Sequence, residues 1–111
     1  MEALPTAIVA FDDDCAFGLI DALRSGGIAV PDRISVVGYD GSRFSRSPLS
    51  NLTTVGQDAA ALASLAVSRA VARLDGYQGA DRDVVLQPRL LVRGTTAPPP
   101  VGSAGGEPVS R

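Results

Sequence analysis

The feature that most constrains the fold is an elbow near the start of the chain, Thr6 to Leu23 (TAIVAFDDDCAFGLIDAL). Ala7, Ile8, Val9, Ala10 and Phe11 form a continuous apolar run. Such a run reads as a strand buried on both faces of a parallel sheet, and it is too short for a core helix. Asp12, Asp13 and Asp14 then supply an N-cap and a negative first turn, and Ala16, Phe17, Ile20 and Leu23 follow at helical spacing. Three carboxylates therefore sit at the carboxyl end of a strand, which is where ligands bind in open α/β sheets.

The chain after the elbow repeats this logic. A helix from about Asp13 to Ser25 stops at Gly26-Gly27, Val30-Pro31-Asp32 turns, and Ile34 to Tyr39 reads as a second strand ending on Asp40. Strand, helix and strand make one crossover unit, so Asp40 falls at the same sheet edge as Asp12. Gly41 to Asn51 (GSRFSRSPLSN) is a loop with room for one helical turn, in which Phe44 and Leu49 are the expected anchors. Leu52 to Gly56 reads as a short extended segment leading into Gln57-Asp58. Leu62, Leu65, Ala66, Ala70, Val71 and Leu74 repeat at three and four, which predicts an amphipathic helix capped by Asp58 and stopped at Gly76. Residues 76–82 form a loop. Val84 to Leu86 and Leu90 to Arg93 read as one extended segment broken by Gln87-Pro88-Arg89, with Pro88 pointing to a sheet edge. From Ala97 the composition collapses to Pro, Gly, Ser and Val, and residues 97–111 read as a disordered tail.

What is missing narrows the function. The 111 residues contain no His and no Lys, so a Ser-His-Asp or Cys-His nucleophile, a Schiff base, a P-loop lysine and a His-ligated metal are all excluded. The formal net charge of −2 offers no basic footprint, and the chain is not expected to bind DNA by itself. Apolar residues at 45% and charged residues at 20% suit one globular domain. No run reaches membrane-span length and no signal peptide is visible, which gives a cytoplasmic expectation. Cys15 reads as a packed residue whose thiol pKa the neighbouring carboxylates raise.

The order of motifs resembles the LacI/GalR family of bacterial transcription regulators. It rests on Asp12-Asp13, Ala16-Phe17-Gly18, Val30-Pro31, Val37-Gly38-Tyr39-Asp40, Pro48, Leu52-Thr53-Thr54-Val55, Gln57 and the closing Arg89 to Thr96. The resemblance implies an α/β, parallel-sheet, periplasmic-binding-protein-like type I fold of which only the C-terminal part is present. Residues 1–96 would be a partial effector-binding domain, with 7–56 in the C-terminal lobe and 58–82 in the N-terminal lobe, and the piece would be only marginally stable alone. It implies a repressor that responds to a sugar or related small molecule and needs no cofactor. It further implies a homodimer contacted through the helix Asp13–Ser25 and the loop Ser42–Pro48, with DNA bound only by a domain absent from this chain.

Within that frame Asp12, Asp40 and Gln57 are the candidate ligand contacts, Asp13 is the helix cap, and Asp14 is a solvated charge. The residues alone also permit Asp12 and Asp13 merely to cap, Asp40 merely to begin a turn and Gln57 to serve a hinge. Arg43 and Arg46 are placed to meet an acidic partner or solvent. Gly41-Ser42, where family members often carry a second carboxylate, suggests a looser turn, and small Ala59 offers no stacking surface. Two other readings stand beside this one. A transporter's sugar-binding protein shares the two lobes; a Mg²⁺-dependent phosphotransfer domain would use Asp12 and Asp14, but lacks the lysine that holds the phosphoryl charge.

Overall fold

The computed structural model describes residues 3–79 and 83–102. In chain order the elements are β1 (Ala7–Val9), α1 (Asp13–Ser25), β2 (Ser35–Asp40), a 3₁₀ turn (Phe44–Arg46), β3 (Thr54–Gly56), α2 (Ala59–Leu74) and β4 (Arg89–Leu91). The strands form one sheet in the order β1-β2-β3-β4. β1, β2 and β3 are parallel, with Ala7 opposite Ser35 and Gly38 opposite Thr54, whereas β4 runs antiparallel with Leu91 opposite Thr54. The sheet is parallel except at β4, because the chain leaves the carboxyl end of β3 through α2 and returns to that same end. Its next strand can only run back.

α1 packs on β2, and the core lies between them. Ala16 and Ile20, one helical turn apart, meet Val30, Ile34, Val36 and Leu52, all buried, while Ile8, Ala10, Phe17, Leu19, Leu23 and Ile28 surround them partly buried. Burying each large aliphatic side chain is worth about 1.5–3 kcal/mol, so this layer supplies most of the fold's cohesion. The helix ends as expected: Gly26 N–H donates to Ala22 O, and Gly27 takes the left-handed conformation at φ 76°. Val30-Pro31 is a cis peptide.

Several expectations need correction. β1 is shorter than the apolar run and is not buried on both faces: Val9 is 75% and Phe11 88% exposed, because β1 is an edge strand packed from one side only. Phe44 and Leu49 do not anchor the loop, being 76% and 93% exposed. Buried Ser45 anchors it instead. Its Oγ donates to Ser42 O (2.6 Å), and its carbonyl accepts from Leu52 N (3.0 Å). Phe44 only meets Phe17 edge-on, with ring centroids 6.5 Å apart. Cys15 is exposed rather than packed, since it lies on the outer side of the first turn of α1.

The closing segment is the least expected part. Thr95 is inserted beside the start of β2, where Val36 N donates to Thr95 O (2.8 Å) and Thr95 Oγ1 donates to Val36 O (2.7 Å). On its other side Thr53 N donates to Thr95 Oγ1 (2.9 Å), Arg93 N donates to Thr53 Oγ1 (2.8 Å), and the Arg93 guanidinium donates to Leu52 O (2.9 Å) and Ser45 Oγ (3.1 Å). Residues 93–96 thus fill the gap where β2 and β3 diverge. Ala97, the expected start of a disordered tail, is pinned through both its N–H and its carbonyl to Ser35 Oγ. Residues 103–111 of that tail, and 80–82 of the expected loop, lie outside the described residues.

α2 differs from α1 in one respect that matters. It is capped by Asp58, whose Oδ1 accepts from Ala61 N (2.9 Å), and it is followed by Gly76 at φ 88°, but none of its residues is buried. Its apolar positions Leu62, Val67, Val71 and Leu74 are between 49% and 86% exposed, and it packs closely on no strand. The radius of gyration is 19.3 Å. A compact domain of this length measures about 13 Å, so the chain is extended, and α2, with no buried residue, is an exposed arm of it.

Candidate functional site

The candidate site forms where β2 and β3 end side by side. Register pairs Asp40 with Gly56, so the residues that follow, Gly41 and Gln57, emerge from neighbouring parallel strands. Gln57 N donates to Asp40 O (3.3 Å), and Gln57 Nε2 lies 3.5 Å from Asp40 Oδ1. Two of the three sequence-predicted contacts are thereby brought together. They line a cavity of about 750 Å³ with Gly41, Ser42, Arg43, Arg46, Asp58, Ala59 and Arg89. Tyr39 faces a smaller adjoining cavity of about 140 Å³, which shares Gln57, Asp58 and Leu62 with the first.

Asp40 itself is strained. Its φ of 124° lies where side chains are rarely tolerated, and only a surrounding structure that over-determines the turn keeps it there. That structure is visible. Gly41 follows at φ 65°, and a Cβ at this position would collide with Gly56 Cα. Gly41 N donates to Thr54 Oγ1 (3.3 Å), and Ser42 N donates to Asp13 Oδ2 (2.7 Å). The loose turn expected from Gly41-Ser42 is in fact a tight one, because glycine is what allows the two strand ends to approach.

Asp13 is not the helix cap that the sequence led us to expect. The cap is Asp12: its Oδ1 accepts from Cys15 N (2.7 Å) across the first turn of α1. That backbone hydrogen bond holds its carboxyl below the usual aspartate range, and the same carboxylate, by accepting from the Cys15 side chain, pushes the thiol up. The correction for Asp13 is physical. Helix geometry turns its side chain inward, where it is buried and accepts from Thr54 Oγ1 (2.6 Å) as well as from Ser42 N. Gly38 is the counterpart of this carboxylate, since a Cβ there would strike Asp13 Oδ1 and Leu52 Cδ2. Asp12 sits beyond β1 at the same sheet edge but is not among the residues lining the larger cavity.

Sequence reasoning missed three contributors: buried Asp13 as a tie between α1 and the strand ends, Thr54 as its partner, and Arg89 on the far wall. A signal existed for the first two. A polar Thr53-Thr54 pair inside an otherwise β-favouring run asks for partners once buried. Among the described residues no group of three or more His, Cys, Asp or Glu is placed to hold a metal ion, and no helix is long and apolar enough to cross a membrane.

Residues 1–96 match the model of the periplasmic binding protein-like domain family. The chain belongs to that family. Within the periplasmic-binding-protein-like domains its relatives are LacI-family regulators. It is 35% identical over 95 residues to the HTH-type transcriptional repressor PurR of Vibrio campbellii, a match covering 86% of this chain and 28% of the relative. The crystal structure of a LacI transcriptional regulator from a Rhodococcus species superposes with a TM-score of 0.80 at 48% identity, over 88% of this chain and 36% of that one. A LacI family regulator from Arthrobacter sp. FB24, solved in complex with lactose, gives a TM-score of 0.75 at 29% identity, over 83% and 35% of the two chains. The chain thus spans under a third of its curated relative's length.

Proposed function

We propose that this chain is the effector-binding and dimerisation part of a LacI-family transcriptional regulator, a repressor whose response to a sugar or related small molecule is carried by Asp40 and Gln57. The observation that carries the reading is their convergence on one cavity at the carboxyl edge of parallel strands, in a domain family whose Arthrobacter member was solved with lactose. Ligand hydroxyls donate to the Asp40 carboxylate and exchange hydrogen bonds with the Gln57 amide. Asp12 contributes from the neighbouring strand end through the carboxylate oxygen that does not cap α1. A mismatched hydroxyl would leave one of these groups unpaired, at a cost of about 1–3 kcal/mol, which is how such a cleft discriminates.

In this reading residues 7–56 belong to one lobe, and 58–82 to the other, which accounts for a helix α2 with no buried residue. The face carrying Phe17, Phe44 and Leu49 is the dimer contact, between α1 and the loop 42–48. DNA is bound by a separate domain, the regulator acts in the cytoplasm, and the chain performs no catalysis. The matches to repressors do not favour a transporter protein or a phosphotransfer domain.

Isotope-labelled chain titrated with lactose and other sugars tests this. Amide signals of Gly41, Ser42 and Gln57 are expected to shift on saturation and to stay still in Asp40→Ala. Shifts that survive Asp40→Ala would remove Asp40 from the site.

A further inference from the structure

The walls of the larger cavity carry more positive charge than recognition of a neutral sugar requires. Arg43 precedes the 3₁₀ turn and Arg46 ends it, three residues apart, a spacing that places both side chains on one side of such a turn. Arg89, from the start of β4, lines the same cavity. None of these three guanidiniums is engaged by a side chain or carbonyl among the described residues, whereas Arg24 and Arg93 are tied to Val30 O and Leu52 O. Three guanidiniums face two carboxylates, and those carboxylates are partly spoken for. Asp58 caps α2, and Asp40 lies against Gln57. The positive end of the α2 dipole opens on the same space through Ala59 and Ala60. The lining contains no aromatic side chain, its apolar members being Ala59, Ala60, Leu62 and Leu91, so a sugar ring finds no face to stack on.

We infer that the ligand of this cavity is an anionic polyol, a sugar phosphate or sugar acid, whose hydroxyls reach Asp40 and Gln57 while its anionic group is held by Arg43, Arg46 and Arg89. This rests on the effector-binding reading above and narrows it from sugars in general to one charge class. Guanidinium groups suit the anion because their planar N–H forks match phosphate and carboxylate oxygens two at a time.

Calorimetric titration of the full chain with glucose monophosphate, gluconate, lactose and inorganic phosphate tests the inference. One or both of the first two are expected to bind at least about tenfold more tightly than lactose, with the phosphate and carboxylate arms showing which anion is preferred. Arg43→Gln with Arg46→Gln, both at exposed positions that the core does not use, is expected to abolish that preference, as is Arg89→Gln. Raising salt from about 0.05 to about 0.3 M is expected to weaken the anionic ligands only. Lactose binding as tightly as the anions, with the arginine variants unchanged, would overturn the charge class and leave the effector reading standing. Inorganic phosphate binding as well as the sugar phosphate, independently of Asp40, would show a bare anion site and overturn it. No binding of any of the four would sink the inference and the effector reading together.

Discussion

Gly38 and Asp13 show how two residues far apart in sequence are chosen for each other. The buried carboxylate receives Thr54 and Ser42 only because β2 presents no Cβ beneath it. A residue reader sees a glycine in a strand and a second aspartate in a helix start, and assigns the cap to the wrong one. The aspartates are distinguishable only once the direction of each side chain on the first helical turn is known. Asp40 makes a sharper test. Asp40→Ala and Asp40→Gly both delete the carboxylate, but only glycine accepts a φ of 124° without strain. Asp40→Gly is therefore expected to be the more stable by about 1–2 kcal/mol in urea melts, while both lose the ligand response. Asp12 yields a pH prediction. Its folded pKa lies below the ordinary 3.8, so its contribution to stability is present above that value and lost as pH falls through the folded one. Asp12→Asn keeps an oxygen to cap the helix but does not titrate, and its stability is expected to fall less steeply than wild type between about pH 5 and about pH 2.5.

At the scale of elements, α1 and α2 share an amphipathic pattern and an aspartate cap, and sequence periodicity treats them alike. The difference lies in what each faces: α1 covers β2, and α2 covers nothing among the described residues. Helix existence was legible for both, with boundaries within a residue or so, because caps and glycine stops are local chemistry. Partnership is not written in the periodicity. Backbone hydrogen bonds of a helix without tertiary cover open readily, so hydrogen exchange is expected to be fast throughout α2 and slow in β2 and the middle of α1. Equal protection in the two helices would show that α2 has found cover in solution. The short strands were harder to read. β4 includes Arg89, which looked like an interruption, because pairing with Gly56 rather than side-chain pattern places it in the sheet.

For the whole molecule, the core among the described residues consists of six buried apolar residues packed against a four-stranded sheet, and the chain is extended well beyond a compact shape. Heat unfolding is expected to show an enthalpy well under the ~60–80 kcal/mol typical of a 100-residue domain, since enthalpy follows the surface buried. A calorimetric scan giving the full value would mean that the arm folds back or that copies associate. The fold class was legible because alternation of strand and helix with carboxylates at strand ends has few solutions. What the linear pattern could not show was the insertion of Arg93 to Thr96 between β2 and β3, since those residues carry no apolar alternation and are placed by hydrogen bonds alone. That insertion sets an order of events. Thr95 bonds to Thr53, 42 residues earlier, and Ala97 to Ser35, 62 residues earlier. Contacts of that sequence separation are slow to form, because the chain between them must first be confined. During synthesis β1, α1 and β2 are free to assemble as they emerge and β3 can pair with β2 directly, but the bonds that Thr95 and Ala97 add across the start of β2 form only after the segment 93–97 has left the ribosome.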